Sequence, residues 1–122
     1  MTSKSNQGAK WDERYLSGEY RPRSEASSLI KIAIEGTEWK GKRCLEVACG
    51  NGRNSVYLAE MGYEVDAIDV STIALSRAKE RGKNAGVNVN WILGDIDEFE
   101  FAEREYDVIV VDFFFCEKNM MQ

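Results

Sequence analysis

Carboxylates and glycines in the middle of the chain have the types and spacing of a cofactor site. Glu46 precedes a turn that contains Gly50 and Gly52, and Asp69 and Asp95 follow further along. Glycine permits a sharp backbone reversal and a close approach to a ligand, where a Cβ atom would clash. A helix that begins at such a turn directs its unpaired N–H groups and its positive dipole end at the ligand. The stretch therefore predicts a cofactor-binding turn.

The spacing around this turn separates two classes of cofactor. A dinucleotide site has the pattern G-x-G-x-x-G, and Ser55 occupies the third glycine position here. A carboxylate at Glu46 would also repel a pyrophosphate nearby. The pattern acidic-x-small-x-Gly-x-Gly, formed by Glu46, Ala48, Gly50 and Gly52, instead suits a cofactor with ammonium and sulfonium charges. An NAD-type nucleotide-binding Rossmann half remains the alternative at this point.

The elements around the turn alternate between strands and helices. Apolar runs predict strands at residues 43–48, 63–70, 87–93 and 106–112, the last being the most apolar. Strands that alternate with helices form a parallel sheet with right-handed crossovers. The sequence therefore predicts an α/β fold.

Capping residues and apolar stripes predict the helices. Ser24 is a candidate N-cap for a helix that ends at Gly36, and residues 55–61 form a helix after the turn. Ser71 is the predicted N-cap of a longer helix that ends at Gly86. The predicted inner stripe of that helix is Ala74, Leu75, Ala78, Gly82 and Ala85.

The N-terminal segment is polar at first and then aromatic. Residues 1–9 are predicted to be loose, and residues 11–16 to form a short helix. Trp11, Tyr15 and Tyr20 have two interpretations: a flap over a ligand, or aromatic anchors that pin the segment to the domain.

Composition limits the classes of function. The chain has 122 residues, of which 43% are hydrophobic, as expected for one globular domain. The net charge of -5 argues against nucleic acid as the main partner, because phosphate neutralisation needs a clustered basic surface. The sequence contains neither a membrane-length apolar run nor the apolar region of a signal peptide, so we predict a cytoplasmic protein without membrane segments.

The chain contains no histidine and three cysteines. The first fact removes the usual general base near neutral pH, histidine-dependent triads and most zinc sites. Cys44, Cys49 and Cys116 lack the spacing of metal ligands, and we expect reduced thiols and no bound metal.

Four motifs, in order along the chain, resemble those of class I S-adenosylmethionine-dependent methyltransferases. They are residues 46–52, Asp69 at the end of the second predicted strand, residues 94–96 and residues 106–109. The resemblance extends from about Trp11 to Phe115. It implies a Rossmann-like parallel sheet in the order 3-2-1-4 with flanking helices. Since the family continues through further strands, we expect the domain to be truncated after the fourth strand.

Two shorter segments indicate a subfamily within these methyltransferases. Residues 11–15 and the turn at residues 51–54 are most similar to the small-molecule methyltransferases of the tellurite-resistance and thiopurine type. This similarity implies S-adenosyl-L-methionine as cofactor and a small-molecule methyl acceptor as partner.

By position, the resemblance also implies roles for individual residues. Those expected to line the methionine moiety of the cofactor are Glu46, Ala48, Gly50 and Gly52. Glu46 would reach the ammonium group directly or through water, and Asp69 would accept from both ribose hydroxyls. Asp95 would meet the adenine amino group, with Val70 and Ile96 on the two faces of the ring.

Each acidic residue also has a purely structural interpretation. Asp69 could cap the following helix, and Asp95 could stabilise a turn. A buried Glu46 without a ligand is the least plausible of these, because an unpaired buried carboxylate is costly. Asp112 and residues 113–115 either face the acceptor or form the edge of the core.

The expected reaction is an in-line displacement at the activated methyl group. A soft nucleophile needs no base, which agrees with the absence of histidine, whereas an oxygen acceptor would require Asp112, Glu117 or a tyrosine. We expect residues 10–122 to form the N-terminal, cofactor-binding part of the domain. Its exposed fourth-strand edge would then favour self-association, and a non-catalytic cofactor-binding or dimerisation module is the alternative.

Overall fold

The computed structural model describes residues 3–18, 20, 25–35, 42–98 and 106–111, with side chains from Gln7 onward. Its helices and strands, in chain order, are α1 (Ser3–Ser17), α2 (Ser28–Ile34), β1 (Arg43–Val47), α3 (Arg53–Glu60), β2 (Glu64–Asp69), α4 (Thr72–Ala85), β3 (Asn90–Leu93) and β4 (Val108–Val111). A short 3-10 helix, Ile96–Glu98, follows β3.

The four strands form one parallel sheet in the order β3-β2-β1-β4, which confirms the predicted fold. β1 lies between β2 and β4, with Glu46 opposite Ala67 on one side and Val110 on the other. The middle of β1, Cys44 to Glu46, is fully buried. Because the strands are parallel, their carboxyl ends meet at one edge of the sheet, where the turn after β1 also lies.

The core forms where α2, α3 and α4 pack against the sheet. One cluster joins Ile34 of α2 and Leu58 of α3 to Cys44 and Val65. A second joins Ala67 of β2 and Leu75 of α4 to Cys49, with Trp91 packed against them. The two clusters fix α3 and α4, and therefore the turns that precede both helices.

The predicted caps of α4 are confirmed, and that of α2 is not. The Ser71 side chain accepts from the Ala74 N–H group, and Gly86 ends α4 with a positive φ. Ala85, predicted for the inner stripe, is exposed. The N-cap of α2 is Ser27, whereas the predicted Ser24 and Gly36 lie outside the described residues.

The N-terminus differs from the prediction. Residues 3–9 were expected to be loose, and the structure has them in α1. Their polar sequence carries no apolar stripe, so the helix depends on its packing against the rest of the domain. A Cβ atom on Gly8 would lie 2.6 Å from the Val70 carbonyl oxygen, which shows how closely α1 approaches the segment after β2.

The two outer strands are shorter than predicted. β3 begins at Asn90 rather than at residue 87, and β4 begins at Val108 rather than at residue 106. Asp112, residues 113–115, Cys116 and Glu117 lie outside the described residues. In the described part of the chain, no helix combines the length and apolar character needed to cross a membrane.

Candidate functional site

The turn after β1 has an unusual backbone. Ala48, Gly50 and Gly52 all have positive φ angles, of 59°, 59° and 84°. The Cys49 N–H group donates to the Ile68 carbonyl at 3.1 Å, which ties the turn to the end of β2. Ala48 is the only non-glycine residue with positive φ in the described chain, and its Cβ atom makes that conformation costly.

Gly50 lies where the turn meets the cavity and the N-terminal helix. Its N–H group donates to Asp69 Oδ2 at 2.8 Å. A Cβ atom at this position would lie 3.1 Å from the Tyr15 hydroxyl oxygen. The turn, the end of β2 and α1 therefore meet at Gly50.

Packing against α4 and β3 requires a residue without a Cβ atom at Gly52. A Cβ atom there would lie 2.8 Å from the Ala78 Cβ atom and 3.0 Å from the Trp91 ring. Gly52 is buried and is not part of the cavity wall. It allows α3 to begin in close contact with α4 and β3, and its place along the methionine moiety of a cofactor stays a prediction.

Glu46 also lies away from the cavity wall. It is 0% exposed, and its two carboxylate oxygens accept from Ser55 Oγ at 2.5 Å and Asn54 Nδ2 at 3.0 Å. An approach to an ammonium group, directly or through water, stays a prediction. The first turn of α3 supplies the partners that make a buried carboxylate tolerable.

Asp69 ends β2 and faces the cavity. Its Oδ2 atom accepts from Gly50 N–H, and its Oδ1 atom accepts from Ser71 N–H at 2.9 Å. Burial raises the pKa of the Asp69 carboxyl above its ordinary value, and hydrogen bonds from backbone N–H groups offset part of that rise. Each carboxylate oxygen can accept more than one hydrogen bond, so the group retains capacity for hydroxyl donors from a ligand.

Asp95 both stabilises a turn and lines the cavity. Its Oδ1 atom accepts from the Asp97 N–H group at 2.9 Å, which stabilises the turn into the 3-10 helix. Asp95 and Ile96 also line the cavity, on the side formed by the residues after β3. The structural role of Asp95 therefore does not remove it from the site.

Three aromatic side chains of the N-terminal segment complete the wall. Trp11, Tyr15 and Tyr20 all line the cavity. Tyr20 packs edge-on against both Trp11 and Tyr15, with ring centroids 5.3 Å apart in each pair. The two interpretations of these residues are thus compatible, because the cluster both packs together and encloses a cavity.

The cavity has a volume of about 260 Å³, just below the range of about 300–1,000 Å³ that is usual for small-molecule sites. Its wall contains the turn after β1, the end of β2 with Val70, the residues that follow β3, and the aromatic cluster. Six of the predicted site residues line it: Ala48, Gly50, Asp69, Val70, Asp95 and Ile96.

Sequence reasoning missed the residues that support this wall. Asn54 donates to Glu46 and also accepts from the Ser27 N–H group at 2.8 Å, so it connects the strand to α2. Ser55, which occupies the third glycine position of the dinucleotide pattern, donates its hydroxyl to Glu46. The signal was available, because a carboxylate inside a buried strand requires polar partners, and the helix after the turn packs back over that strand.

Comparisons with known proteins agree with this geometry. The profile of the methyltransferase domain family matches residues 44–122. The ubiquinone biosynthesis O-methyltransferase of Hahella chejuensis is 35% identical over 101 residues, which cover 81% of this chain and 41% of that protein. The chain thus spans about two fifths of the length of this curated relative.

Solved structures share the fold. The TehB structure from Haemophilus influenzae superposes with a TM-score of 0.64 at 26% identity, covering 84% of this chain and 35% of that one. The magnesium protoporphyrin IX methyltransferase of Synechocystis superposes with a TM-score of 0.71 at 14% identity, covering 90% and 58%. With the profile match across more than half of the chain, the motifs and the sheet order, these findings show that the chain belongs to the class I S-adenosylmethionine-dependent methyltransferases.

Proposed function

We propose that this chain binds S-adenosylmethionine in the cavity described above and takes part in methyl transfer to a small-molecule acceptor. The observation that carries the proposal is the position of Asp69, whose carboxylate faces the cavity at the end of β2 beside the Gly50 N–H group. An acidic residue at this place can accept from two vicinal hydroxyl groups of a ribose.

The other lining residues fit the remaining parts of the cofactor. The turn at Ala48 and Gly50 offers a close backbone approach for the methionine end, and Val70 and Ile96 offer apolar contact for a purine ring. Asp95 supplies an acceptor for an exocyclic amine. The aromatic cluster suits a cationic sulfonium, because ring faces attract positive charge.

The ionisation of Tyr15 and Cys49 in the cavity wall bears on which class of acceptor could be methylated. When bound, the cofactor supplies an activated methyl group, and the protein aligns the acceptor and excludes water. Burial raises the pKa of the Tyr15 phenol and that of the Cys49 thiol, and the nearby Asp69 carboxylate adds to both effects. Both groups are therefore neutral near pH 7 and poor bases, so neither would deprotonate an oxygen acceptor, and the other candidate bases, Asp112 and Glu117, lie outside the described residues.

An oxygen acceptor is the second candidate class. It is favoured by the relative's name, ubiquinone biosynthesis O-methyltransferase. Assaying transfer from radiolabelled S-adenosylmethionine to a catechol and to a small thiol separates the two classes. Transfer to the thiol alone supports the soft acceptor, and transfer to the catechol alone supports the oxygen acceptor.

Calorimetric titration tests cofactor binding directly. We expect S-adenosylhomocysteine to bind the full chain and NADH not to bind, because the site combines carboxylates with the family's turn. Binding of NADH alone would contradict the proposal and revive the nucleotide-binding alternative.

A non-catalytic cofactor-binding or dimerisation module is the remaining alternative. It is favoured by Ile109, which is 55% exposed on β4, a strand at the edge of the described sheet. Sedimentation velocity measures the association state. A monomer with methyl-transfer activity would remove this alternative, and an inactive dimer would favour it.

A further inference from the structure

The Asp12 side chain of α1 accepts hydrogen bonds from residues at the start of α4. Its Oδ1 atom accepts from Ser71 Oγ at 2.6 Å and from the Ile73 N–H group at 3.0 Å. Its Oδ2 atom accepts from Thr72 Oγ1 at 2.8 Å. One side chain of α1 therefore takes up three donors at the start of α4.

These contacts connect two parts of the cavity wall. On one side, Trp11 and Tyr15 of α1 line the cavity, and Asp12 lies between them in the chain without lining it. On the other side, the segment that Asp12 contacts directly follows Asp69 and Val70, which also line it. A change at Asp12 can therefore reach the site through either of these two elements, and the charge of Asp12 also contributes to the raised pKa of the Asp69 carboxyl.

The charge of Asp12 strengthens the connection. Burial tends to raise the pKa of its carboxyl, but hydrogen bonds from Ile73, Ser71 and Thr72 together outweigh burial and hold the pKa below its ordinary value. The ionised group faces the N-terminus of α4, where the helix dipole favours a negative charge. Hydrogen bonds to an ionised acceptor are also stronger than neutral ones.

We propose that Asp12 is a positioning residue that latches α1 onto the start of α4 and thereby holds the aromatic wall over the cofactor cavity. The inference rests on the proposed function, since it takes S-adenosylmethionine or its product as the ligand.

The expected effect follows from the fraction of molecules with α1 docked. If only the docked form binds tightly, the apparent dissociation constant is the intrinsic one divided by that fraction. Loss of the latch lowers the fraction, so ligand affinity falls although the lining side chains are unchanged. Conversely, the ligand stabilises the docked helix.

The first experiment compares two neighbours on α1 in the full chain. Asp12→Ala removes the latch, and Glu13→Ala removes an exposed carboxylate from the same helix. We expect S-adenosylhomocysteine to bind Asp12→Ala about tenfold more weakly than the unmodified chain, and Glu13→Ala within about twofold, by calorimetry. Equal affinities of the two variants would overturn the proposal.

A second variant approaches the latch from α4. Thr72→Val removes one of the three donors and leaves the sequence of α1 unchanged. We expect about threefold weaker binding of S-adenosylhomocysteine, since the donors from Ser71 and Ile73 remain. If Asp12→Ala does not fold, Thr72→Val still tests the latch. Unchanged affinity of Thr72→Val for S-adenosylhomocysteine would count against it.

A double-mutant cycle distinguishes positioning from general destabilisation. Asp12→Ala is combined with Trp11→Ala, which removes part of the wall that the latch is proposed to hold. If Asp12 acts through α1, its effect on affinity shrinks in the Trp11→Ala background. Additive effects would overturn the proposal, because they would mean that Asp12 acts independently of the wall.

Hydrogen exchange provides a readout besides affinity. Without ligand, amide exchange in α1 should be faster in Asp12→Ala than in the unmodified chain, whereas exchange in α3 should be the same in both proteins. Saturating S-adenosylhomocysteine should slow exchange in α1 of both proteins, because the ligand selects the docked form. Equal exchange of α1 in the two ligand-free proteins would overturn the latch. If the unmodified chain does not bind S-adenosylhomocysteine at all, the proposed function is wrong and the latch falls with it.

Discussion

Two carboxylates on neighbouring strands, Glu46 of β1 and Asp69 of β2, have opposite surroundings. Glu46 lies inside its strand and is 0% exposed, with Asn54 and Ser55 as partners. Asp69 lies at the end of its strand and faces the cavity, with the backbone N–H groups of Gly50 and Ser71 as partners. The first carboxylate is enclosed by protein, and the second borders the proposed ligand.

The difference follows from the position of each residue along its strand. A side chain within a central parallel strand points into a layer covered by helices, where protein groups must satisfy it. A side chain at the carboxyl end of a strand points into the crevice where ligands of open α/β sheets bind. The two residues are therefore expected to differ in what they control: Glu46 the stability of the fold, and Asp69 ligand affinity.

Substitution of Glu46 should have the largest effect on stability. Glu46→Ala leaves the Asn54 amide and the Ser55 hydroxyl without this acceptor inside the core, and we expect the free energy of unfolding to fall by about 3 kcal/mol. Urea denaturation followed by circular dichroism measures the change. Glu64→Ala, on an exposed residue of β2, is the control and should change stability by less than about 0.5 kcal/mol.

One outcome would contradict the assignment of Glu46 to stability and Asp69 to ligand binding. If Glu46→Ala left stability unchanged and abolished binding of S-adenosylhomocysteine, the carboxylate would have to face the ligand in solution, as the sequence had suggested.

Substitution of Asp69 should mainly affect binding. Asp69→Ala removes the acceptor proposed for the ribose hydroxyls, and we expect the affinity for S-adenosylhomocysteine to fall by about 2 kcal/mol, or roughly 30-fold. Calorimetry at a temperature well below unfolding measures the change. Glu80→Ala, on an exposed residue of α4, is the control and should bind normally. Unaltered affinity in Asp69→Ala would show that the ribose assignment is wrong.

Ala48 should give the smallest effect, with the opposite sign. Its φ of 59° lies in the left-handed region, which glycine adopts without a Cβ penalty. We expect Ala48→Gly to raise the free energy of unfolding by about 0.5–1 kcal/mol, after the greater freedom of glycine in the unfolded chain is subtracted. Thermal unfolding checks this. A loss of stability would mean that the Ala48 methyl group contributes more by packing than it costs in strain.

The parts of the fold that sequence reasoning recovered are those with a local or periodic signal. The sheet, its order and the caps of α4 followed from apolar runs, the family's motifs, Ser71 and Gly86. The beginning of α1 could not be predicted in this way, because its polar residues form a helix only in contact with other elements. The contacts at Gly8 and Asp12 join residues far apart in the chain, and spacing carries no signal for them.

Only part of the geometry of the candidate site could be predicted from the sequence. Asp69 and Asp95, which the resemblance assigned to the cofactor, both line the cavity, because the topology brings the end of β2 and the residues after β3 together. Glu46 and Gly52 belong to the same motif, but neither lines the cavity. Their roles depend on where the Glu46 side chain points and on what packs against Gly52, and the motif shows neither. Gly52 is constrained by Ala78 and Trp91, which the motif does not include.

The position of β1 in the sheet has a consequence for how the chain folds. β1 pairs with β2 through neighbouring sequence, but its other edge pairs with β4, where Cys44 lies opposite Val108. Contacts between residues so far apart are slow to form, because a long loop must close before they contribute any stability. During synthesis, the backbone groups on this edge of the central strand therefore lack their partners in the sheet until β4 has been made.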